Sequence, residues 1–126
     1  MLDDRTTTRT DLDERGMRLW DKASNKFAWA AYLGNSDRNL AVPARRKDLS
    51  GLPPAWIGVG TLDLFHDEAL AYAQRLLAAG VPCHVEEIAG AFHGFDGLAP
   101  KAKVSRAFFA SQCSMLKQAL APHAQR

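Results

Sequence analysis

The feature that most constrains this sequence is the stretch between residues 55 and 88. It opens on Ala-Trp-Ile-Gly-Val-Gly, a run with no polar interruption, just after Pro53-Pro54. A short apolar run of this kind is what a strand covered on both faces by helices requires, so it reads as a central parallel strand. A turn at residues 61 to 66 follows. Residues 67 to 79 then carry Leu70, Tyr72, Ala73, Leu76 and Leu77 on one broad helical face, with Gly80 and Pro82 marking the end. Residues 83 to 88 alternate loosely, Cys83 and Val85 against His84 and Glu86, as a half-exposed strand nearer a sheet edge does. The pattern predicts one βαβ unit over residues 55 to 88. Such units close with a right-handed crossover, so both strands finish at the same sheet edge. The fold class is α/β.

The flanks are less regular. Residues 1 to 12 are polar, rich in Thr and Asp, and without apolar periodicity, which predicts a loop. Between 13 and 33, Met17, Leu19, Trp20, Phe27, Trp29, Tyr32 and Leu33 recur at roughly helical intervals and Gly34 supplies a stop, predicting one or two helices. Ser24 or Asn25 could cap the second. Residues 34 to 54 hold Gly34, Asn35, Pro43, Gly51 and Pro53-Pro54, a density of breakers that predicts a long connection without secondary structure. Residues 89 to 103 form the loop after the second strand. A terminal helix over 104 to 120 follows from Val104, Phe108, Phe109, Leu116 and Leu120. No internal repeat or linker interrupts what reads as a single α/β domain over residues 1 to 126.

Composition narrows the partners. At 126 residues and 47% apolar content the chain suits one globular domain, which at this size buries close to ~70% of its extended surface. Sixteen basic residues oppose fourteen acidic ones, interspersed along the chain, so neither a nucleic-acid nor a membrane partner is indicated. Arg45-Arg46-Lys47, followed at once by Asp48, reads as a solvated loop. No apolar run approaches the ~18 residues of a membrane span. Cys83 and Cys113 lack metal-ligand spacing and read as small buried residues; together with an N-terminus unlike a secretory signal, they point to a reducing, cytoplasmic location. His84 alternates along a strand and His123 lies in the tail, and no cluster of His, Cys, Asp or Glu calls for a metal or another cofactor.

Chemistry is expected where loops converge beyond the C-terminal ends of the parallel strands. Two such loops exist, residues 60 to 68 and residues 89 to 96, and they offer Asp63 and His93. A carboxylate bonded to an imidazole nitrogen fixes its tautomer and aims the other nitrogen at a nucleophile. Taken bare, an Asp and a His at loop positions serve equally well as a helix cap and a surface group.

Three linked segments say more: Asp-Leu-Ser-Gly-Leu-Pro-Pro-Ala-Trp-Ile (48 to 57), Gly-Thr-Leu-Asp-Leu-Phe-His-Asp-Glu-Ala-Leu-Ala-Tyr-Ala-Gln-Arg-Leu-Leu-Ala-Ala-Gly-Val-Pro (60 to 82) and Gly-Ala-Phe-His-Gly-Phe-Asp (90 to 96). In this order they resemble the C-terminal end of the hormone-sensitive-lipase-like esterases of the α/β-hydrolase type. Met-Leu-Asp-Asp-Arg at 1 to 5 resembles the segment that follows the sixth strand in that family, which makes Met1 look like an internal methionine. The resemblance implies a C-terminal part of an α/β-hydrolase sheet: two parallel strands, a crossover helix, a C-terminal helix and N-terminal helices. It implies Asp63 as triad acid and His93 as triad base, acting on a small-molecule ester. Asp67, a rival acid, reads as the N-cap of the helix, and Glu68 as a first-turn acid favoured by the helix dipole. His66 reads as a surface contact. Trp20, Phe27 and Trp29 could line an acyl pocket by resemblance, although their helical spacing suits a core.

Two parts of that machinery have no counterpart here. The family's nucleophile lies in Gly-x-Ser-x-Gly and its oxyanion hole in a His-Gly-Gly-rich loop. None of Ser24, Ser36, Ser50, Ser105, Ser111 or Ser114 has glycine at both flanking second positions. The chain by itself is therefore expected to be inactive. Its companion is either the remaining portion of a hydrolase or, if the apolar edge of the first strand is left bare, a second copy of itself.

Overall fold

A computed structural model describes residues 1 to 121, so His123 lies outside the described residues. From the N-terminus the chain forms helix α1 (Lys22–Leu33), short helix α2 (Arg38–Ala41), strand β1 (Ala55–Gly60), helix α3 (His66–Ala78), strand β2 (Cys83–Ile88), short helix α4 (Phe95–Leu98) and helix α5 (Lys103–Leu120). Single 3-10 segments lie at Asp4–Thr8, Glu14–Gly16 and Pro43–Arg45. The chain divides into two compact units, Met1–His93 and the residues from Gly94 onward.

In the first unit β1 and β2 are parallel neighbours, in register from Ala55 opposite Cys83 to Gly60 opposite Ile88. Both strands thus end at one edge, as the βαβ pattern predicts. Helix α3 buries Ala69, Ala73 and Leu76 and leaves Leu77 exposed. Leu76 packs with Leu49 and Val81 beneath Leu52, Ile57 and Tyr72. Withdrawing each such aliphatic side chain from water contributes about 1.5–3 kcal/mol. The left-handed Gly80 (φ 76°) ends α3 and lets Val81 turn back to donate to Leu76 O at 2.9 Å.

Several local expectations change. Residues 1 to 12 are not merely loop: Asp3 accepts from Arg5 N, and the Thr7 and Thr8 hydroxyls bond Asp4 O and Arg5 O, which folds Asp4–Thr8 without any apolar period. Residues 13 to 33 hold one α-helix, not two. Its N-cap is Asp21, which accepts from Ser24 N at 2.7 Å, so the cap is neither Ser24 nor Asn25. Residues 34 to 54 contain α2, capped by Asp37 at Asn39 N, and a Pro-initiated turn at Pro43–Arg45. Asx caps and a proline fix these short pieces locally, a signal that breaker density hides. Arg45 leaves solvent to bond the buried Asp4, which also takes Arg38; the bond from Arg45, opposed by burial and helped by Arg38, holds the Asp4 carboxyl below its usual value.

Trp29, Leu33 and Val42 form a second small core. Phe27 and Tyr32, assigned to a helical stripe by spacing, are exposed. The stretch from 89 to 103, expected as loop, includes α4 and the first residue of α5, both of which belong to the second unit. Gly94, at φ 70°, begins α4, and the Phe95 and Phe108 rings lie 5.2 Å apart. Val104, Phe109, Leu116 and Leu120 of α5 are exposed, as is Cys113, which is therefore not a small buried residue.

Candidate active site

The site begins where β1 stops. A Cβ added to Gly60 would stand 2.2 Å from Ala91 O, so only glycine lets the end of β1 pass this close to the loop after β2. Three hydrogen bonds then tie the two loops together: Thr61 N to Ile88 O at 3.0 Å, Leu62 N to Ala91 O at 2.9 Å, and Gly90 N to Thr61 Oγ1 at 2.8 Å. This stitching brings Asp63 Oδ2 to 3.0 Å from His93 Nδ1.

Asp63 is positioned by its own turn. Its backbone N–H donates to Gly60 O, and its second carboxylate oxygen, Oδ1, accepts from Phe65 N at 2.9 Å. One oxygen is thereby spent on the backbone and the other on the imidazole, which locks the side-chain rotamer. The Asp63 side chain is 10% exposed against 38% for His93, so the carboxylate is shielded and the ring is reachable. A carboxylate oxygen only accepts, so Nδ1 is the donor of this bond and, in the neutral ring, Nε2 carries the lone pair. Nε2 has no hydrogen-bond partner among the described residues. That arrangement suits a general base.

Aromatic rings surround the imidazole: Phe65 meets it edge-on with centroids 5.2 Å apart, and Trp20 is tilted against it at 5.7 Å. Of the three aromatics weighed for a pocket, Trp20 stands at the site, Trp29 is core and Phe27 faces solvent. Gly60, Thr61 and Phe65 escaped the sequence reading as site residues. A glycine at the end of an apolar strand, immediately before Thr-Leu-Asp, was the available signal.

A model of the alpha/beta hydrolase fold matches residues 1–97. The chain belongs to the α/β-hydrolase fold family. Its likeness to hormone-sensitive-lipase-like esterases, read from the motifs, stands within that family. It is 40% identical over 76 residues to esterase LipI of Mycobacterium tuberculosis, covering 60% of this chain and 23% of that protein. To an acetyl-hydrolase of Streptomyces hygroscopicus it is 42% identical over 77 residues, covering 60% of this chain and 25% of the relative. The solved structure of esterase LipW from Mycobacterium marinum superposes with a TM-score of 0.84 at 38% identity, over 97% of this chain and 39% of that one. The chain thus spans about a quarter of the length of these two curated relatives.

Beside Asp63, the chain carries a second histidine cluster. Asp67 is not the N-cap: α3 starts at His66, with Phe65 before it, because Asp63 has already satisfied the Phe65 amide. Asp67 instead bonds His66 Nδ1 at 3.0 Å and Arg9 Nη1 at 2.8 Å; these bonds, from His66 first, hold its carboxyl below the usual range. His66 Nε2 lies 2.5 Å from Glu87 Oε2. Partial burial opposes a charge on His66, but the bonds to Glu87 and Asp67 outweigh it and its pKa rises. Glu68 is a buried anchor as well as a first-turn acid: it accepts from Leu2 N at 2.6 Å and from Thr6 Oγ1 at 2.5 Å. Burial, only partly offset by those bonds, pushes its pKa up. No helix among the described residues is long and apolar enough to cross a membrane.

Proposed function

We propose that this chain supplies the acid and the base of a serine ester hydrolase. His93 serves first as general base toward a serine and then as general acid toward the leaving alcohol, and Asp63 orients the imidazole. The observation that carries this reading is the 3.0 Å contact between Asp63 Oδ2 and His93 Nδ1, with Nε2 left uncommitted at the rim of two parallel strands. The esterase relatives support the reaction class, and the substrate is a small-molecule carboxylic ester.

In this reading the serine and the oxyanion donors come from the portion of the hydrolase that the relatives possess and this sequence lacks. The chain alone is inactive toward esters, and active-site-titratable turnover of a p-nitrophenyl ester by the purified chain would overturn that. A chimera tests the positive claim, with this chain replacing the matching portion of the Mycobacterium marinum esterase. We expect it to hydrolyse p-nitrophenyl esters and to lose activity on Asp63→Asn or His93→Ala. Full activity in either variant would defeat the assignment. A cytosolic location, in keeping with the two free cysteines, completes the reading.

A second reading rests on the sheet. Strand β1 pairs with β2 on one edge and with no strand on the other among the described residues, although its residues are those of a central strand. A second copy could pair there. Light scattering decides: a dimer at micromolar concentration supports it, and a monodisperse monomer counts against it.

A further inference from the structure

A single hydrogen bond holds one point of an imidazole and leaves its plane free to rock. The plane of His93 is set by the rings against it, and these come from two different places. Phe65 belongs to the same turn as Asp63, which accepts from its amide. Trp20 comes from the segment ahead of α1, remote in sequence from both loops.

Two unfavourable features converge on Trp20. Leu19 is the one non-glycine residue with positive φ among the described residues, at 64°. It is the centre of a three-residue turn closed by Trp20 N donating to Arg18 O at 2.7 Å, the rare and strained form of the γ-turn. The Leu19 side chain is 63% exposed, so its own packing does not explain the strain. The turn's effect is to aim Trp20 inward. Asn25, on α1, is 0% exposed; its Oδ1 accepts from Trp20 Nε1 at a long 3.4 Å, and its Nδ2 has no partner. The amide orientation is the one that gives the indole N–H an acceptor. A buried amide that leaves its donors unpaired is unfavourable for folding. Strain and desolvation are thus both spent on one ring, and that ring lies 5.7 Å from the imidazole.

We infer that Trp20, steered by the Leu19 turn and anchored by Asn25, is a positioning residue that fixes the plane of His93. This rests on the reading of Asp63 and His93 as acid and base. Trp20 lies against the imidazole, tilted 44° to it at 5.7 Å, while Asp63 holds its Nδ1, so a ring freed to rock would loosen that bond and with it the single tautomer.

The test follows the two ring nitrogens of His93 by long-range proton–nitrogen correlation in the full chain, with His93→Gln to assign the signals. In the unmodified protein a single tautomer gives two well-separated nitrogen shifts. Trp20→Ala is expected to narrow that separation as the ring samples more orientations; if this variant does not fold, Trp20→Phe, with a smaller ring and no N–H, is expected to do the same. Asn25→Leu separates positioning from stability. Replacing the amide by an apolar group of similar size removes its unpaired donors but leaves the indole N–H without its acceptor, so the melting temperature should change little while the His93 separation narrows. Unchanged His93 shifts in a folded Trp20 variant overturn the inference. Asp63→Asn guards the reading beneath it. If that substitution leaves the His93 shifts alone, the acid–base assignment itself fails; if it moves them while the Trp20 and Asn25 variants do not, only the positioning role falls.

Discussion

Two aspartate–histidine pairs, whose acids Asp63 and Asp67 share one stretch of chain, differ in everything except distance. His93 Nδ1 to Asp63 and His66 Nδ1 to Asp67 both measure 3.0 Å. His66 also has its second nitrogen on Glu87, and Asp67 is shared with Arg9. With both nitrogens facing carboxylates, the protonated form of His66 is favoured and neither nitrogen is left uncommitted. His93 has one carboxylate, one uncommitted nitrogen and aromatic neighbours. Proximity of acid and imidazole therefore does not mark a base; the fate of the second nitrogen does.

The sharpest way to break this contrast is to remove each acid in turn from the esterase chimera. Asp63→Asn should lower kcat by about 10⁴-fold, the loss seen when a triad histidine is left in the wrong tautomer. Asp67→Asn should stay within a few-fold, and equal losses would erase the distinction. Next in size is the joint that makes the first pair possible. Gly60→Ala, by driving a methyl group into Ala91 O, should cost on the order of 3 kcal/mol in denaturant unfolding; a loss below about 0.5 kcal/mol would mean the loops part without penalty. Thr61→Val removes the acceptor of the Gly90 amide and should cost about 1–2 kcal/mol, with His93 drifting from Asp63 in its ring-nitrogen shifts.

The smallest effect belongs to the second pair and depends on pH. The His66 pKa is raised in the folded state, so the stability it contributes is complete below its ordinary value of 6.5 and fades as pH rises through the folded value. Melting the chain beside Glu87→Gln across this window should show a difference of about 0.2–1 kcal/mol on the acid side that shrinks toward alkaline pH. A difference that grew with pH would reverse the assignment of His66 as a clasp.

What could be read before any coordinates follows from the range of the forces involved. The βαβ unit was legible because the unbroken apolar run of Ala55–Gly60 and the apolar face of α3 leave plain marks in the chain. Asp63 and His93 were legible once parallel strands placed their loops at one edge. The helical pieces at Asp4–Thr8 and Arg38–Ala41 were not, since Asx caps build them from polar residues that also suit loops. The Asp67 cap was misread for a subtler reason: Asp63 takes the Phe65 amide, and the cap falls at Phe65, nearer the N-terminus than Asp67. Trp20 could not be separated from Trp29 by spacing, because the helix begins only after its Asp21 cap and leaves Trp20 outside the phase that Trp29 obeys.

The close pass at Gly60 shapes how this fold can vary. Every other residue type shares its first side-chain carbon, and that atom meets the Ala91 carbonyl before differences of size, charge or shape come into play. A randomised library at this position would consequently sort into two bins instead of a gradient, with glycine alone in one. Directed evolution of this chain should leave codon 60 untouched and spend its diversity on neighbours that face outward.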